Sequence, residues 1–365
     1  MRQWPPEGPP LAWKARGLGA GYSTVTVADG RIFTLGADND TESVIALDVV
    51  TGQVLWRARS GRLFRDSRGD GPRGAPTVDG NRVYALGGSG DLTALDVATG
   101  ERIWWINVLD AFGGRNITWG VAESPLVLQD RVIVNAGGRR GSIVALNKND
   151  GSILWKSEVG DEASYSSAVV AMMRGVQQAV YFTGERVVGV GVADGSLLWS
   201  YRRVSNRTAN VATPIVRGNH VFLSSDYGTG CALLEIEGGP GAMSAREVYF
   251  NRDMKNHHAS SVLVDDTLYG FNSSILTAMD FESGEVIWRD RSVGKGSLIY
   301  ADGHLYAFSE NGIVGLIEAT RAGYREKSRF ELPRSGEMSW SHPVISGGQL
   351  YLRDQDTLHR FDIRR

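Results

Sequence analysis

Three of the six histidines, His257, His258 and His342, fall in short segments that lead into apolar strands. Arg73, Glu123, Tyr165, Asn210 and Lys295 occupy the same kind of position, with Trp119 and Trp340 beside them. Brought to one place, these ten side chains define what chemistry is open to the molecule. Arg73 and Lys295 would neutralise an acidic or phosphorylated small molecule, or an acidic peptide. Tyr165 or a histidine would serve as general acid or base for a lyase or hydrolase acting on acidic glycans, although no spacing motif singles out such a pair. Zinc needs about three convergent protein ligands. Adjacent residues on an extended strand face opposite ways, so His257 and His258 are not expected to share an ion and no metal site is assigned. The plainer reading is a polar rim bonded to water and neighbouring chain, the ordinary state of such groups and the first expectation.

Other segments carry less chemistry. Cys231 stands alone, which rules out an intrachain disulfide framework and a cysteine metal cage. Gly61–Arg73 holds four arginines and reads as a solvated loop. Ser224–Cys231 is glycine-rich but lacks the lysine and following helix of a phosphate loop, so it reads as a turn.

The elements that must position these residues are written in repeats. Leu95–Trp104, LDVATGERIW, has near-copies at Leu47–Trp56 and Met279–Trp288. In each, apolar alternation flanks an Asp that accepts from following backbone N–H groups and a Gly suited to positive φ, which is hairpin chemistry. Gly and Trp stand four residues apart at Gly52/Trp56, Gly100/Trp104, Gly151/Trp155, Gly195/Trp199 and Gly284/Trp288. The wide gap between Trp199 and Trp288 implies one degenerate copy, ending near Glu247–Phe250. A second hairpin signal, an apolar strand turning through Gly or Asp into an apolar-aromatic strand, recurs eight times, first at Val27–Phe33 and last at Ser346–Tyr351.

Units of about 45 residues with four strands each predict an all-β fold: an eight-bladed β-propeller of four-stranded blades. Ser341–Arg365 has room for three strands only, while Leu11–Lys14 is a Trp strand with nothing before it. The N-terminal strand, residues 11–16, is therefore expected to complete the last blade and close the ring. Residues 1–365 then form a single domain, with 1–10 an N-terminal extension, and the chain is expected to be a monomer. The first strand of each blade lines the channel, which places the ten polar and aromatic candidates at one channel mouth. The turn-and-Trp motifs themselves are packing anchors.

The 365 residues carry a formal charge of −2 with both signs scattered, so no basic stripe for nucleic acid is present. No apolar run approaches the roughly 18 residues of a membrane helix. The 46 glycines fit a molecule built of tight turns. The start of the chain shows no signal-peptide core, which leaves two readings: a cytoplasmic protein, or an exported one whose leader is already absent.

Written out, the A-L-D-x-x-T-G-x-x-x-W hairpins resemble the PQQ-like propeller repeat across roughly residues 11–365. Quinoprotein alcohol dehydrogenases, BamB-type outer-membrane assembly lipoproteins and many exported bacterial propellers share that repeat. The resemblance implies Trp latches between blades and export to the periplasm or cell exterior. It also implies a non-enzymatic binding or scaffold protein as the leading function, with a protein or small acidic ligand as partner. A quinoprotein-type oxidoreductase with PQQ and calcium is the enzymatic alternative. Such enzymes typically carry an adjacent-cysteine disulfide, which Cys231 cannot form, so no cofactor is expected.

Overall fold

The computed structural model describes residues 3–364. Eight four-stranded antiparallel sheets follow one another around a ring, as the repeats predict. Blade one comprises Thr26–Ala28, Arg31–Asp38, Thr41–Asp48 and Val54–Arg62, and blade two Thr77–Asp79, Arg82–Leu86, Asp91–Asp96 and Arg102–Asn107. Second and third strands are buried almost throughout, because they are covered by blades on both faces. One short helix, Val108–Phe112, interrupts the pattern after blade two.

The ring closes where the sequence says it should. Leu11–Ala15 pairs with Thr357–Asp362 as the outer strand of blade eight, with Trp13 opposite Arg360. Arg353 seals this seam from inside. Almost fully buried, it donates to the carbonyls of Gln355, Ser23 and Leu35 and to the Thr34 hydroxyl. Burial lowers its pKa to about 10, and the charge is held by oxygen dipoles from two blades, with the Asp356 carboxylate near enough to favour it.

The repeated turns act as latches. In LDVATGERIW, Asp96 Oδ1 accepts from the N–H groups of Ala98 and Thr99 at 2.8 and 2.9 Å, and Gly100 takes φ of 73°. The missing Cβ of Gly100 leaves the seat on which the Trp56 ring of the preceding blade lies, and Trp56 Nε1 donates to Val97 O at 3.2 Å. The same geometry joins Trp13 to blade one, Trp104 to blade three and Trp155 to blade four, while Trp288 donates to Thr320 O of blade seven with Tyr324 against its ring. In the degenerate copy Tyr249 takes the indole's place and donates to Phe281 O at 3.1 Å. Trp199 departs from the pattern by donating to Gln178 Oε1 within its own blade.

Blade seven has Ser328 where blade two has Trp104. Its missing indole comes from the N-terminal segment. Trp4 is 4% exposed and lies 5.8 Å from Tyr306 at 47°, matching Trp104 on Tyr84 at 6.0 Å and 47°. The Ser328 hydroxyl accepts from Trp4 N at 2.7 Å. Residues 3–15 thus serve both blade seven and blade eight.

Candidate functional site

Segments entering the first strand of each blade, and loops joining second to third strands, reach the same end of the ring by the up-and-down order of the strands. That end gathers the candidates from seven blades, and the structure separates those with free bonding capacity from those without it.

Asn210 is spent on structure. Its amide nitrogen donates to the carbonyls of Thr183, Gly184 and Asn206, and its oxygen accepts from Asn206 N and Ser225 Oγ. Arg73 is a loop staple: its guanidinium donates to Gly71 O and to Gly69 O at 2.7 Å and lies over the rings of Phe64 and Tyr22 at 4.8 and 5.6 Å. The four-arginine loop is therefore folded on itself. Glu42 pins it further, accepting from Phe64 N and from Gly88 N at 3.1 and 2.9 Å. Burial raises the Glu42 carboxyl to about 7 against those two bonds. Glu123 lies 1% exposed, below the rim, with Oε2 accepting from Asn135 N at 2.8 Å and the buried Tyr181 hydroxyl beside the carboxyl. Burial pushes its carboxyl up to about 8.

The remaining candidates line the opening. Lys295 pairs with Glu310 at 3.7 Å, and the Trp340 indole donates to the same carboxylate at 3.1 Å. Trp340 packs on Tyr22 at 4.9 Å and on His258 at 6.2 Å. His258 meets His257 edge-on at 5.9 Å, and His257 faces Tyr227 at 5.3 Å. On another part of the rim Trp119 lies against Tyr165 at 5.6 Å, with Trp119 N donating to the Tyr165 hydroxyl. His342 opens onto the channel and reaches from blade eight to His258 O at 2.9 Å, across blade seven.

His257 and His258 sit in a bend and not on the extended strand expected, so their rings do not point to opposite faces. They still do not form a metal site: among the described residues no group of three or more His, Cys, Asp or Glu could hold an ion. Both ring nitrogens of His258 and Nδ1 of His257 are buried without a hydrogen-bond partner. Burial holds both imidazoles below the ordinary 6.5, His258 furthest, with His342 and Lys295 adding positive potential. Uncharged imidazoles and aromatic faces are therefore what this wall offers near neutral pH. Burial also raises the Tyr165 phenol, which keeps it protonated and unsuited to act as a base.

Sequence reasoning missed Tyr22, Tyr227 and Glu310 as parts of this wall. Glu310 and Tyr227 sit in loops joining second to third strands, and the rule that such loops share the mouth was the available signal.

A family model described as "Outer membrane protein assembly factor BamB" matches residues 6–121 and 42–290. The chain belongs to the BamB family. A BamB protein of Shewanella oneidensis is 24% identical over 375 aligned positions, covering 94% of this chain and 86% of that one. The crystal structure of BamB from Moraxella catarrhalis superposes with a TM-score of 0.70 at 15% identity, covering 96% of this chain and 99% of that chain, a likeness of fold. The quinohemoprotein alcohol dehydrogenase ADH IIB of Pseudomonas putida is 31% identical over 158 positions, only 40% of this chain and 21% of the enzyme. What the BamB family and the dehydrogenases have in common here is the repeat, which fixes the ring and not the contents of its mouth.

Proposed function

We propose that this chain is a non-enzymatic scaffold of the outer-membrane assembly type, working in the periplasm as one domain and as a monomer, and binding a partner protein through its loop-bearing mouth. The carrying observation is the reach of the likeness in sequence: a BamB relative aligns along almost the whole chain and the dehydrogenases along less than half, although their fold superposes along nearly all of it. The site chemistry supports it. Lys295 and Glu310 are paired, Asn210 is saturated and Tyr165 is held protonated, which takes these four out of acid–base work.

The finer reading concerns what enters the mouth. His257, His258, Trp340, Tyr22 and Tyr227 form an aromatic wall beside the Lys295 ammonium. That wall suits a carboxylate-bearing side chain of a partner protein, or a small acidic ligand, docked against aromatic faces. The test has two arms. Native protein mixed with PQQ and calcium and then desalted should keep no quinone absorbance and turn over no alcohol. Its partner should co-purify with the native chain and be lost with Trp340→Ala. Retained quinone, turnover, or a partner indifferent to the mouth would overturn the reading.

A further inference from the structure

Away from the mouth, a recess of ≈ 290 Å³ opens on the outer rim between blades one and two. Arg59, Arg62 and Arg102 line it with Trp105, Asp91 and Asp110. Trp105 is 49% exposed, unlike the neighbouring Trp104, which is buried as a latch. Asp91 is buried and already engaged, accepting from Arg62 N at 3.1 Å and from the Asn107 amide at 3.0 Å. Among the described residues none of the three guanidiniums forms an ion pair, and only Arg102 donates a side-chain hydrogen bond, to Arg59 O. Asp110 alone offers them an exposed carboxylate across the recess.

The surroundings add apolar surface and direction. Ile103, two residues before Trp105 on the outer strand of blade two and so on the same face of it, is exposed as well. Exposed apolar side chains also occur on the outer strands of blades three, four, five and eight, at Leu154, Leu197, Val248 and Leu11; what sets this place apart is the exposed indole of Trp105 among three arginines. A second recess of ≈ 360 Å³ shares Arg62, Asn107 and Asp110 and ends at Ser89 and Asn116 on the mouth side. Together they form a groove climbing from rim to mouth. Arg102–Asn107 is the outermost strand of its sheet, so its far edge has backbone groups open to an added strand.

We infer that this groove binds an extended acidic segment of a partner protein, with carboxylates on Arg59, Arg62 and Arg102 and an apolar or aromatic side chain on Trp105. Guanidinium forks match carboxylates, and an exposed indole flanked by arginines is the composition of an interface anchor. The site goes beyond the mouth reading and shares no residue with it.

The probe is a fluorescein-labelled octapeptide alternating glutamate with valine and phenylalanine, followed by anisotropy. Binding to the native chain should weaken about tenfold or more between roughly 50 and 500 mM salt. The Arg59→Glu/Arg62→Glu variant, whose altered side chains form no internal hydrogen bond or ion pair, should bind about tenfold or more weakly, as should Trp105→Ala. His258→Ala should bind like the native chain. Equal binding by the native chain and the arginine variant would overturn the inference. So would equal affinity for a lysine version of the peptide, or capture of phosphatidylglycerol vesicles in place of the peptide. Loss with His258→Ala alone would move binding to the mouth, overturning the groove while leaving the mouth reading standing.

Discussion

Glu123 should make the stability of this ring fall as pH rises, and Glu123→Gln should abolish that loss. The carboxyl is 1% exposed, and burial lifts it from the ordinary 4.5 to about 8, with bonding from Asn135 N and from the Tyr181 hydroxyl opposing the lift. A carboxyl raised in the folded state binds its proton more tightly folded than unfolded. Below pH 4.5 both states are protonated and the group is silent; between 4.5 and about 8 the unfolded chain ionises first, and stability is lost; above 8 the loss is complete. Each pH unit across that span removes about 1.4 kcal/mol, a ceiling of ~5 kcal/mol. Water entry and relaxation around the ion reduce this to an expected ~2–4 kcal/mol. In Glu123→Gln the amide oxygen can keep the bond from Asn135 N, and the amide nitrogen can donate to the buried Tyr181 hydroxyl, which has no other partner. Urea unfolding at pH 5, 7 and 9 reads the difference directly, since Glu42 titrates alike in both proteins. The variant should match the native chain near pH 5 and exceed it at pH 9. Parallel decline of the two proteins from pH 5 to 9 would refute the assignment.

Glu42→Gln should gain less at pH 8 than Glu123→Gln by urea unfolding: it removes the loss that a carboxyl raised to about 7 brings as pH climbs past 4.5, but both carboxylate oxygens accept backbone N–H groups, and an amide nitrogen facing one of them costs ~1–3 kcal/mol. Trp4→Ala should cost ~3–5 kcal/mol and expose the joint between blades seven and eight to protease, as measured by thermal unfolding and limited digestion. Gly100→Ala should lower the melting temperature, since φ of 73° is strained for alanine and its Cβ would lie 2.6 Å from the Trp56 ring. Arg353→Leu should cost ~3 kcal/mol or more in urea by leaving the carbonyls of Ser23 and Leu35 without their donor at the ring closure.

The fold was legible because the repeat is a set of local events. Asp96 and Gly100 make their turn with residues two to four positions away, so the signal survives in ten letters. Ring closure followed from a strand deficit at one end and a surplus at the other. Trp4 and Arg353 were not legible, because each joins parts of the chain more than 300 residues apart and belongs to no repeat. At the mouth, position in the blade told which residues gather there but not how their bonds are spent. Asn210 and Arg73 look reactive in a sequence, and only the carbonyls of Thr183 and Gly69 show that they are committed. The recess at Trp105 stayed hidden because Trp104 beside it satisfies the latch motif.

The most direct test of the scaffold account is site-specific photo-crosslinking in the native cell. Cross-linkers would replace Tyr227 or Trp119 at the mouth, or Val50 in a turn at the opposite end. The account predicts adducts to an outer-membrane assembly protein from the mouth positions and none from Val50. Adducts from Val50 alone, or none at the mouth, would contradict it.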